Sequence, residues 1–175
     1  DGKPMFQFVM ERLPSSLSLV ITTEQIAANI DKETAANEFY LLKEQTQSQY
    51  DTLREAQEIL TSRSDYYLTS CDVYGFFDYE KFRKFTEMKR PDAIIFTFLP
   101  SLTQRKFEKH YTYVSVDQDK VTGVHIKSKK HASDVGLASL FWIRNGKIFE
   151  LIKDISPLDE KEMTIDHVFK HFVAN

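Results

Sequence analysis

A single cysteine, Cys71, leaves the chain unable to build an intrachain disulfide framework and points to a reducing compartment. No run of about eighteen apolar residues occurs, so no segment reads as a membrane-spanning helix. No secretory leader is recognisable either, and a soluble, cytoplasmic protein is expected. A basic excess is also missing. Lys and Arg total 23 against 26 Asp and Glu, the formal net charge is -3, and the two signs are interleaved. A general nucleic-acid binder needs a basic face, so neither nucleic acid nor membrane is an expected partner. There is no G-x-S-x-G elbow, no Walker lysine loop and no G-x-G-x-x-G turn, which removes several common enzyme classes.

What remains is an ordinary globular composition, 42% hydrophobic and 28% charged over 175 residues, enough to enclose a core. Fourteen Phe and eight Tyr concentrate in strand-like runs. No linker, repeat or low-complexity tract interrupts the chain, so residues 1–175 read as one domain.

The periodicity alternates. Gly2 to Leu13 reads as a helix, with Pro4 in its first turn and Met5, Phe6, Val9 and Leu13 on one stripe. Leu17 to Thr22 and Phe39 to Lys43 read as strands, with a helix from Thr23 to Ile30 between them. A helix from Ser48 to Leu60 follows, then a strand from Asp65 to Asp72. A helix from Asp78 to Arg90 turns Phe82 and Phe85 inward. Asp92 to Leu99 reads as a strand buried on both faces. Tyr111 to Val116 and Val121 to Lys127 form a hairpin around Asp117 to Lys120. Leu137 to Ile143 is a further strand, Lys147 to Lys153 a helical stretch, and Glu160 to Val173 the last helix. The expected class is therefore α/β, a Rossmann-like three-layer sandwich with a mostly parallel sheet plus a β-hairpin insertion.

Several residues carry candidate chemistry. Asp72 ends a strand ahead of a turn, the place where open α/β sheets bind ligands. A carboxylate there suits Mg²⁺, which takes one or two carboxylates and completes its shell with water and phosphate. Thr46 to Thr52 opens a helix directly after a strand, and Gln49 there has an amide able to pair with a nucleobase. Lys127, Lys129, Lys130 and His131 make a basic cluster suited to a sugar phosphate or to a solvated turn. His167 and His171 share one face of the last helix, without the Glu or Cys that would complete a zinc motif. Asp117-Gln-Asp119 has the Asp-x-Asp pattern of a metal-dependent glycosyltransferase, but it occupies a hairpin turn.

In chain order these segments resemble the sugar-phosphate nucleotidyltransferases. Residues 1–6 (Asp-Gly-Lys-Pro-Met-Phe) resemble that family's "GKPM", and Thr46 to Thr52 resembles its "T-x-G-Q-x-x-T". Leu68 to Asp72 resembles its strand ending on a metal-binding aspartate, and Glu162 to Asp166 its "E-x-x-T-D". The resemblance implies nucleotidyl transfer from a nucleoside triphosphate to a sugar 1-phosphate, in a setting such as bacterial surface-polysaccharide synthesis. It implies Gln49 and Thr52 near the base, Asp72 as the catalytic Mg²⁺ ligand, and Lys129 on the sugar phosphate. It also places the glycine-rich triphosphate loop ahead of Asp1 and a second metal aspartate beyond Asn175. The 175-residue chain alone is then expected to be a weak catalyst. Ser48, Ser128 and Ser139 stand where that family has Gly, Glu and Gly. These substitutions keep open a non-catalytic nucleotide-binding or scaffold role.

Overall fold

A computed structural model describes residues 5–14, 18–30, 38–73, 75–155 and 163–174. The expected helix start at Gly2 to Pro4, the strand start at Leu17, the helix start at Glu160, and Glu162 of the last motif lie outside the described residues.

The amphipathic stripe of the first segment forms α1, Met5–Met10, with Val9 buried. The first two strands are β1, Leu19–Thr23, and β2, Glu38–Leu42, joined through the short α2, Glu24–Ala27. They pair in parallel, Leu19 opposite Glu38 through Thr23 opposite Leu42. The expected helix after Ser48 forms as two, α3 (Gln49–Glu55) and α4 (Gln57–Thr61), divided at Ala56. Ser48 caps α3 by accepting from the Asp51 N–H.

The other five strands build a second sheet: β3 (Ser64–Thr69), β4 (Ala93–Phe98), β5 (Tyr113–Asp117), β6 (Lys120–His125) and β7 (Val135–Asn145). Between β3 and β4 runs α5, Tyr79–Lys89, capped by the Asp78 carboxylate on the Lys81 N–H. The short α6, Leu102–Arg105, follows β4. A 3₁₀ helix at Gly146–Asp154 and α7, Ile165–Ala174, come after β7.

The expectation of a mostly parallel sheet is corrected here. Among the described residues all pairings in the five-stranded sheet are antiparallel, and only β1 and β2 pair in parallel. Both β3 and β4 pair with Leu140 to Asn145 or its neighbours in β7, so β7 lies between them. Because β3 and β4 each run against β7, they run the same way as one another. The β3–α5–β4 crossover therefore has the direction its sequence rhythm implies, but an antiparallel strand from later in the chain occupies the space between. Periodicity reports direction within a βαβ unit and is silent on such an insertion.

Alternation along the central strands gives the sheet two covered faces. Tyr67 and Trp142 are cross-strand partners and face α5, where Phe82 meets Trp142 edge-on at 5.5 Å between centroids. Phe77 and Phe96 complete that aromatic layer at 4.7 Å. The next pair, Leu68 and Phe141, faces the other way into the main core with Leu53, Leu60, Phe149, Ile152 and Val168. Phe141 stacks on Phe169 of α7 at 3.8 Å and 8°. Strand β4, expected to be buried on both faces, is instead half-buried, with Thr97 exposed.

Candidate active site

Strand β3 stops at Thr69, before Asp72, which sits in the following turn. There a pocket of about 250 Å³ opens, lined by residues from six separate segments. Gln49 reaches it from the first turn of α3, and Ser70 and Asp72 from the turn after β3. Thr112 enters ahead of β5, Lys127 follows β6, Ser139 lies within β7, and Thr164 and Asp166 come from the start of α7.

Each group is held in place by a local cause. The Ser70 hydroxyl donates to Asp72 Oδ1 at 2.7 Å, orienting an otherwise exposed carboxylate. The Gln49 carbonyl oxygen accepts the Ile165 N–H at 3.1 Å, taking up a free donor at the N-terminus of α7. Nearby, His167 Nδ1 accepts the Thr164 N–H at 3.1 Å, so its remaining proton lies on Nε2. Lys127 adopts a left-handed conformation, φ 47°, in the turn after β6.

Ser139 is the least expected member. It lies inside β7 yet has φ 50°, a region that side chains with a Cβ rarely adopt. The pairing of β7 with β4 shifts register at this place, between Ile95 and Thr97. The resulting kink presents the Ser139 hydroxyl to Asp166, where it donates to Oδ1 at 3.3 Å. Asp166 is only 8% exposed. Burial pushes its carboxyl above the ordinary range, against hydrogen bonds from Thr112 and Ser139 and the neighbouring His167.

Of the residues singled out from the sequence, Gln49 and Asp72 meet in this pocket. Thr52 does not line it. Its hydroxyl lies 2.6 Å from that of Thr46 and donates to the Ser48 carbonyl oxygen, and it lines an adjoining groove with Gln49. Lys129 is likewise not among the lining residues; its Nζ lies 5.9 Å over the Tyr113 ring, and Lys127 of the same basic cluster takes the pocket position. His167 is buried, and among the described residues no group of three or more His, Cys, Asp or Glu is arranged to hold a metal ion. The donor set at Asp72 fits Mg²⁺ as a single exposed carboxylate with open surroundings, the ligation that leaves most of the shell to water and phosphate. The sequence signal for Asp166 was its place in the "E-x-x-T-D" segment. Thr112 carried no signal, because only folding brings the residue before β5 to the others.

Comparison with known structures shows which molecules share this architecture. A nucleoside-diphosphate-sugar pyrophosphorylase from Vibrio cholerae RC9 aligns over 99% of this chain and 76% of its own, with TM-score 0.67 and 14% identity. A UDP-glucose pyrophosphorylase, solved with UDP-glucose, aligns over 98% of this chain and 75% of its own, with TM-score 0.70 and 11% identity. The chain has the fold of the nucleotide-sugar pyrophosphorylases. No protein-family model and no curated protein matches the sequence. Among the described residues no helix is long and apolar enough to cross a membrane.

Proposed function

We propose that the protein binds a nucleoside triphosphate together with a sugar 1-phosphate or similar phosphorylated small molecule, and transfers the nucleotidyl group with release of pyrophosphate. The observation that supports this most is the convergence of Gln49, Asp72, Lys127 and Asp166, from distant parts of the sequence, on one pocket in this fold.

In this reading a phosphate oxygen of the sugar phosphate attacks the α-phosphorus, and the bond to the pyrophosphate oxygen breaks. Asp72 holds Mg²⁺, whose chemistry is to neutralise charge on the phosphates. Lys127, rather than Lys129, offers the cation for the sugar phosphate. Gln49, its carbonyl tied to α7, keeps its amide N–H₂ for the base, and Thr52 fixes the turn behind it through Ser48. The hydroxyls of Thr112, Ser139 and Thr164, with the buried Asp166 carboxyl, give a lining of paired donors and acceptors suited to a hydroxylated ring. Catalysis by such a site is positioning and charge neutralisation.

Calorimetric titration with each common nucleoside triphosphate, with and without Mg²⁺, tests this. One nucleotide is expected to bind in a metal-dependent way, and Asp72→Ala is expected to weaken that binding on the order of 100-fold. Because Asp72 is exposed in a turn, the variant keeps its fold. Equal binding by the variant, or no binding of any nucleotide, overturns the proposal. A second reading, a nucleotide-binding or scaffold domain without catalysis, is favoured by Ser139, which lines the pocket where the family it resembles has glycine. Pyrophosphate release on adding sugar phosphates separates the two.

A further inference from the structure

A second polar cluster lies on the β5–β6 hairpin, outside the pocket. Ser115 alternates along β5 with the core residue Val114, so it points to the opposite face of the hairpin. There its hydroxyl donates to Asp134 Oδ1 at 2.7 Å and lies 2.8 Å from His125 Nε2. A carboxylate only accepts, so the single Ser115 proton goes to Asp134. Ser115 then accepts from His125, which carries a proton on Nε2. Gly123 leaves room for that ring, since a Cβ there would lie 3.1 Å from His125 Cε1.

The Asp134 side chain is 0% exposed, and its second oxygen is also committed. Oδ2 accepts the N–H of Lys130 at 2.9 Å and that of His131 at 2.8 Å. The Asp134 N–H returns to the His131 carbonyl at 3.1 Å, closing the turn. One buried carboxylate therefore pins the chain on both sides of Lys127. His125, where β6 ends, is held just before it, and Lys130 and His131 soon after. Lys127 itself is exposed and left-handed, φ 47°, a conformation that persists in a residue with a Cβ only where its surroundings over-determine it. Within this pinned stretch Lys127 lines the pocket, while Lys129 turns to Tyr113 on the Ser115 side of β5.

We propose that Asp134 is a positioning residue for the candidate site. Through Ser115 and His125 on one side, and the Lys130 and His131 N–H groups on the other, it fixes the turn at Lys127. It thereby aims this lysine, rather than Lys129, at a phosphate group in the pocket. The proposal rests on the reading that Lys127 offers the cation for the sugar phosphate. It adds that the reach of this cation is set from the far face of the hairpin, by a carboxylate that does not line the pocket.

The test uses the 175-residue chain with its lysines reductively methylated with ¹³C, the Lys127 signal being assigned with Lys127→Arg. Inorganic phosphate is titrated against chloride at constant ionic strength, and each lysine signal is followed by NMR. In the parent protein the Lys127 signal is expected to move saturably. Asp134→Ala is expected to weaken phosphate binding at Lys127 by about tenfold or more, as misplacement of a binding group does. Asp134→Asn keeps the shape and an acceptor for both N–H groups. Its amide donates to Ser115, whose own proton passes to the other tautomer of His125. Its phosphate affinity is expected to stay within about threefold of the parent's. Ser115→Ala cuts only the link to His125 and serves should Asp134→Ala fail to fold; a loss of about threefold or more is expected. A carboxylate with a merely structural role would lower the melting temperature and leave phosphate affinity at Lys127 unchanged. Unchanged affinity in Ser115→Ala, or equal losses in Asp134→Asn and Asp134→Ala, overturns the assignment. A parent Lys127 signal that ignores phosphate overturns the reading of Lys127 as the anion contact, and the proposal with it. A parent response retained by every variant overturns the positioning role alone.

Discussion

Ser139 couples backbone strain to a functional contact. At φ 50° its Cβ crowds the following carbonyl, and its hydroxyl binds Asp166. Two substitutions separate these effects. Ser139→Ala and Ser139→Gly both remove the hydroxyl, but only glycine relieves the left-handed conformation. Ser139→Gly is therefore expected to exceed Ser139→Ala in stability by roughly 1–2 kcal/mol, measured by urea denaturation. Equal stabilities would remove the claim of strain.

Two buried carboxylates shape the pH dependence in opposite senses. Burial alone would raise Asp134, but hydrogen bonds from the Ser115 hydroxyl and the His131 and Lys130 N–H groups, with the charge of His125, bring it below its ordinary value. Its contribution is present above the unfolded-state pKa, about 3.9, and is lost as pH falls through the lower folded-state value. Asp166 is raised by burial, so its contribution is present below about 3.9 and is lost as pH rises through the higher folded-state value. Asp166→Asn, which mimics the neutral acid, is expected to flatten the melting-temperature profile above pH 4 while leaving the acid limb. Asp134→Asn is expected to flatten the acid limb and to lower stability at pH 7. Thermal melts across pH check both, and an unchanged profile in either variant contradicts the corresponding assignment.

At the scale of elements, the junction between β7 and the 3₁₀ helix decides how the main core closes. Gly146 donates its N–H to the Arg63 carbonyl at 2.9 Å, and a Cβ there would meet the Leu60 carbonyl oxygen and lie 2.5 Å from that of Arg63. These acceptors belong to the backbone and cannot rotate away as a flexible side chain would. Gly146→Ala is expected to destabilise by about 1–3 kcal/mol, as overpacking does. A denaturation midpoint equal to that of the parent protein would show that α4 and the 3₁₀ helix separate without cost. Gln57 also donates to the Phe149 carbonyl at 2.8 Å, a bond that ties α4 to the 3₁₀ helix.

Across the whole molecule the two sheets differ in their support. Strand β7 is paired on both edges and carries Phe141 and Ile143 at 0% exposure. The β1–β2 pair is half-buried, with Thr22 and Leu42 its buried members. A two-stranded sheet is marginal unless packed. Hydrogen exchange is therefore expected to be slowest in β7, and at least about 100-fold faster in β1 and β2, a difference of some 2.7 kcal/mol in opening free energy. Comparable protection in the two sheets would mean that they open as one unit.

The amino-acid sequence alone determined most elements, because each has a local cause. Ser48 and Asp78 cap their helices, alternation marks the β5–β6 hairpin, and the strip of Met5, Phe6 and Val9 makes α1 amphipathic. It also singled out Gln49 and Asp72, which sit at element ends where the residue type is informative. The place of β7 was not legible, since a strand's own pattern does not record which neighbours it will separate. Nor was the choice of Lys127 over Lys129, because both lie in one basic turn and only the left-handed backbone at Lys127 accompanies entry into the pocket. The shift of Asp166 needed the fold as well: desolvation depends on what packs around a carboxyl, and Thr112 and Ser139 reach it from segments distant in sequence. Local propensity and periodicity are properties of neighbouring residues, whereas strand order, burial and convergence on a pocket are set by contacts between residues far apart in the chain.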